Sequence, residues 1–123
     1  MNYLEELRKR KKYLQSQIKQ LQDFKELLIK AVDNFLQKKY MPLEKALQIH
    51  GGIGGLENAY GWDIISKAKY QKLCDLYEEQ QSDPTHLYMQ DILKHLKERI
   101  ADAQKELSSI ENHIAYEETK PSS

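Results

Sequence analysis

From Leu4 to Phe35 the seam positions 4, 7, 11, 14, 18, 21, 25, 28, 32 and 35 follow one another at alternating spacings of three and four residues. That spacing is the heptad seam of a helix that packs lengthwise on another helix. One column reads Leu7, Leu14, Leu21, Leu28, Phe35; the other reads Leu4, Lys11, Ile18, Lys25, Val32. No Pro or Gly interrupts residues 1–41, and Leu, Gln, Glu and Lys are good helix formers. A helix over 3–40 would be roughly 57 Å long at ~1.5 Å per residue.

The last third repeats the pattern. Met89, Leu93, Leu96, Ile100, Ala103, Leu107, Ile110 and Ile114 again alternate spacings of four and three. Asp83 or Ser82 supplies a cap and Pro84 suits the first helical position, which predicts a second long helix over 85–118 and a frayed tail over 119–123. The segment between, 41–84, reads as a small helical insert. "MPLEKALQIHGG" is a short helix with Pro42 in its first turn and Gly51 or Gly52 at its end. All five glycines then fall within 51–61, which reads as a glycine-rich loop with a mobile Gly54-Gly55 turn. A further helix runs from Gly61 to Gln81, with Ile64, Ile65, Ala68, Leu73, Leu76 and Tyr77 as its buried stripe.

The expected fold is all-α: one domain over 1–123, about four helices, built as a long antiparallel, coiled-coil-like hairpin with the insert as a head at one end. A chain of 123 residues suits a single domain. The rival arrangement is a homodimer through the stalk helices. Lys11 and Lys25 would face their own copies in a parallel pair, which disfavours it; two hairpins forming a four-helix bundle would satisfy both arrangements.

No apolar run approaches the ~18 residues of a membrane span, and the start MNYLEELRKRKK lacks the apolar stretch of a secretory signal. No membrane is expected, and the default location is the cytoplasm. The single Cys74 excludes an internal disulfide and a multi-thiolate zinc site. Net charge is zero, but residues 1–41 hold ten Lys/Arg against five Asp/Glu, and residues 42–84 hold four against seven. The cations cluster at Arg8, Lys9, Arg10, Lys11 and Lys12, which would grip phosphates on nucleic acid. Five consecutive helical residues point all round the cylinder, however. In an antiparallel hairpin they also lie near Glu106, Glu111, Glu117 and Glu118. The favoured reading is a solvated, partly ion-paired face; Arg8, Lys9, Arg10 and Lys12 are the candidates in the nucleic-acid alternative.

The glycine stretch is not a phosphate loop. A Walker loop needs Lys and a hydroxyl after its last glycine, whereas Gly55 is followed by Leu56, Glu57 and Asn58. His50, His86, His95 and His113 show no ligand spacing, and Cys74 and the serines lack a nucleophile's context. No catalytic, metal or cofactor residues are assigned. The expected function is a non-enzymatic protein–protein interaction module, an adaptor, inhibitor or assembly factor in the style of small phage and mobile-element proteins. It would bind another protein through the acidic head, with Glu57, Tyr60 and Trp62 as candidate contacts; the other reading of Tyr60 and Trp62, and the favoured one, is that they anchor the loop into the head.

Overall fold

The structure, a computed structural model, describes residues 2–120. Among these, every regular element is a helix: α1 Tyr3–Lys39, α2 Met41–His50, α3 Ile53–Gly61, α4 Lys67–Gln81 and α5 Pro84–Thr119. The expected all-α class holds, with five helices in place of about four. Of the tail expected over 119–123, Thr119 is still helical, and residues 121–123 lie outside the described residues.

The additional helix is α3. Residues 51–61 do not form a loop; the chain turns only at Gly51 and Gly52 and is helical from Ile53. Two glycines near a helix start cost ~1 kcal/mol each relative to Ala. Ile53, Leu56, Ala59 and Tyr60 nevertheless share the helical spacing of three and four, and Leu56 and Ala59 are buried. Their burial offsets the local penalty. The next helix starts at Lys67 instead of Gly61 because the Ser66 side chain caps it, accepting from the Lys69 N–H at 3.2 Å.

The chain gathers into two compact units, one holding α1 through Leu28 with α5 from Ile92, the other spanning Ile29–Asp91. In the first, the beginning of α1 packs on the end of α5, where Leu7, Leu14, Ile110 and Ile114 form a buried cluster with Leu4 and Leu107 against it. The seam lysines Lys11 and Lys25 are half-buried; a lysine at such a position can lay its stem along apolar surface and keep its ammonium in water.

In the second unit the core is Tyr40, Leu43, Leu56 and Leu73, walled by Phe35, Leu47, Ile53 and Tyr70 among others. One residue, Tyr40, separates α1 from α2, because Pro42 cannot donate to the helical ladder. Tyr40 donates its hydroxyl proton to Asp83. The other carboxylate oxygen of Asp83 caps α5, accepting from Thr85 N–H at 2.9 Å and His86 N–H at 3.3 Å. Lys39 Nζ completes the cluster at 2.7 Å from Asp83. A single buried carboxylate thereby ties the ends of α1, α4 and α5, and Ser82 is not the cap. His86 Nδ1 lies 3.1 Å from the Gln80 carbonyl oxygen, and the Gln80 amide donates to Glu44 at 2.7 Å.

Candidate partner-binding surface

The stretch from His50 to Ile65 is shaped first by its glycines. Gly51 sits in the left-handed region at φ 75°, and the Gly52 N–H reaches back to the Leu47 carbonyl at 2.8 Å, the six-to-one closure that ends many helices. Gly55 has another role. A Cβ there would meet the His50 carbonyl carbon at 2.8 Å, with the carbonyl oxygen nearer still. The bare backbone is what lets α3 lie against the end of α2.

The three candidate residues separate in this frame. Tyr60 is half-buried and stacks on Tyr70, with ring centroids 4.3 Å apart and planes 2° from parallel. It is an anchor of α3 on α4. The Tyr70 phenol is shifted upward, first by a hydrogen bond with Cys74 and then by burial, with the Glu57 charge adding to it. Glu57 is exposed. Trp62 is 71% exposed, the largest side chain the unit presents to solvent.

Trp62 does not hang on a loose loop. Its N–H bonds to the Asn58 carbonyl at 2.9 Å, the Asp63 N–H to Tyr60 at 3.1 Å and the Ile64 N–H to Ala59 at 2.8 Å. Asp63 takes φ 59°, a conformation that Asp tolerates better than most residues. This turn carries Ile64 outward at 65% exposure. Ile64 therefore leaves the stripe expected to be buried, and Ala68, in the first turn of α4, is exposed as well. Residues 62–66 are not helical, so a helical period does not govern which way they point. Periodicity misplaced Ile64; the signal that marks it is its place between a left-handed turn and the Ser66 cap.

The basic run lies on α1 in the first unit. Arg8 pairs with Glu118 at 3.0 Å and Arg10 with Glu106 at 2.6 Å, all four side chains about half-exposed. Arg10 also stands 5.1 Å from the Tyr13 ring centroid. Lys9 and Lys12 face solvent. Pairing consumes part of the charge that a phosphate backbone would use, and such exposed pairs contribute at most ~1 kcal/mol each.

Among the described residues no three His, Cys, Asp or Glu side chains converge in a way that would hold a metal ion, and no helix is long and apolar enough to cross a membrane. No family model, curated protein or solved structure matches the chain.

Proposed function

We propose that this protein is a non-enzymatic protein–protein interaction module that binds its partner through the acidic segment 42–84, with Trp62 and Ile64 as the apolar anchors and Glu57 beside them. The observation that carries this reading is the turn at 62–64. Two large apolar side chains, 71% and 65% exposed, are displayed on backbone pinned by three hydrogen bonds. Trp is the side chain most enriched among the few residues that dominate binding energy, and a pre-ordered turn loses little entropy on association. Tyr60 serves the site by bracing α3.

In this reading the packed α1 and α5 of the first unit form a coiled-coil-like hairpin, a rigid element of a cytoplasmic adaptor, inhibitor or assembly factor. Tyr13, Phe24 and Leu27 stay exposed on α1, a surface on which a homodimer would form; light scattering measures that directly. Nucleic acid binding through Arg8, Lys9, Arg10 and Lys12 is the weaker reading because Arg8 and Arg10 already hold carboxylates.

The test is affinity capture from the native host, followed by mass spectrometry, with the natural sequence and a Glu57→Ala/Trp62→Ala/Ile64→Ala variant. The variant should lose the captured partner while its circular dichroism is unchanged. The same partner recovered by both proteins refutes the turn as the binding site. A mobility shift at ~50 mM salt, abolished by neutralising Arg8, Lys9, Arg10 and Lys12, would favour nucleic acid instead.

A further inference from the structure

The second unit also has a groove between α2 and α4, remote in sequence from the Trp62 turn on one side. Ala46 and Ile49 of α2 and Ile65 and Leu73 at α4 supply its apolar lining, Lys45 and Lys69 are its cations, and its volume is about 260 Å³. Ile49, at 77%, is the most exposed large hydrophobic side chain among the described residues. Met41, Lys45 and Ile49 recur every four residues, so they share one outward face of α2.

We propose that this groove is a docking site for an acidic, apolar segment of the partner protein. This rests on the partner-binding reading above and narrows the chemistry of what is bound. Size argues for side chains over a cofactor: the volume falls below the ~300–1,000 Å³ typical of small-molecule sites. It holds one or two apolar side chains of an incoming segment. Charge decides the flanking chemistry. Residues 42–84 carry four Lys/Arg against seven Asp/Glu, yet two of those four cations line this one groove. Neither Lys45 nor Lys69 has a carboxylate within ion-pair distance among the described residues. Carboxylates flanking the apolar anchors of an incoming segment would supply the ion-pair partners that Lys45 and Lys69 lack among the described residues. An amphipathic helix with apolar side chains three or four residues apart and Asp or Glu beside them meets both demands.

The probe is a displayed library of random peptides, about 12 residues or three helical turns long, selected against the full chain. Enriched peptides should carry apolar residues three or four apart with adjacent Asp or Glu. Their binding should weaken with salt and shift the methyl resonances of Ile49, Ile65 and Leu73. A Lys45→Glu/Lys69→Glu variant of unchanged circular dichroism should bind them at least ~10-fold more weakly, and an Ile49→Asp variant likewise. Enrichment of basic or uncharged peptides, retained affinity in the double variant, methyl shifts elsewhere, or no enrichment at all would overturn the proposal. Capture from the native host separates the two readings. If Trp62→Ala/Ile64→Ala loses the host partner while the lysine reversals keep it, the groove assignment fails alone. If the lysine reversals lose it while Trp62→Ala/Ile64→Ala keeps it, the turn assignment fails and the groove stands.

Discussion

Gly54 and Gly55 are adjacent, chemically identical and both in the first turn of α3, yet the same substitution should move stability in opposite directions. A Cβ on Gly54 meets nothing within 4 Å, and its φ is not in the left-handed region. Gly54→Ala therefore gains helix propensity and restricts the unfolded chain, a stabilisation of roughly 0.5–1 kcal/mol. A Cβ on Gly55 would lie 2.8 Å from the His50 carbonyl carbon, against ~3.5–4.0 Å for ordinary carbon–carbon contact. Opening that gap, and the tighter one to the oxygen, needs α3 to move off α2 by roughly 1.5 Å or more. Backbone cannot swing aside as a side chain can. The move would also disturb Leu56 and Ala59, which are 0% and 3% exposed. Overpacking costs ~1–3 kcal/mol and occasionally more, and rigid obstruction places Gly55→Ala near ~3 kcal/mol. The two variants should thus differ by about 4 kcal/mol. At ~3–5 °C per kcal/mol for a chain of this size, their melting temperatures should lie roughly 12–20 °C apart. Circular dichroism melts, with urea unfolding as a second measure, read this directly. If Gly55→Ala melts with Gly54→Ala, or above the natural sequence, the close approach of α3 to α2 is refuted.

Asp83 is held below the ordinary carboxylate value of 3.8, first by the Lys39 ammonium and then by the Tyr40 hydroxyl. The unfolded chain therefore takes up this proton at higher pH than the folded one. The contribution of Asp83 to stability is complete above about pH 5 and is lost as pH falls below 4; Asp83→Asn should flatten that acid limb in urea titrations, and an unchanged limb would count against the cluster. Tyr40 moves the other way, from 10.0 to about 12, chiefly through burial and then through its bond to Asp83. Its contribution is complete below pH 10 and lost between 10 and 12, so Tyr40→Phe should remove that alkaline slope. Gln17 Oε1 is buried without a hydrogen-bond partner, and Gln17→Leu should raise stability by about 1 kcal/mol; destabilisation in urea would show that the amide is satisfied in solution. Leu14, 0% exposed, should cost ~2–5 kcal/mol as Leu14→Ala, whereas Trp62→Ala should stay within ~0.5 kcal/mol, and comparable losses would place Trp62 in the core.

The two long helices were legible because their information is local. An uninterrupted run of good helix formers with Leu7, Leu14, Ile110 and Ile114 at seam spacing needs no knowledge of the rest of the chain. Pro42 and Gly51 likewise bound α2 by their own backbone chemistry. Asp83 and Ser82 were indistinguishable as caps until the end of α1 brought Lys39 and Tyr40 to one of them. The candidate surface was harder still. Tyr60 and Trp62 stand two residues apart, and nothing local says that one stacks on Tyr70 while the other meets water. By itself the sequence determined where the chain is helical over most of its length and which faces of α1 and α5 are apolar. Only the tertiary structure decided that residues 53–61 are helix, that Gly55 is a contact and Gly54 is not, and that Ile49 and Ile64 are displayed. Propensity and periodicity act within a few residues, whereas burial depends on surfaces brought together from far along the chain. Leu56 and Ala59 outweigh their neighbouring glycines only because Tyr40, Leu43 and Leu73 are there to receive α3.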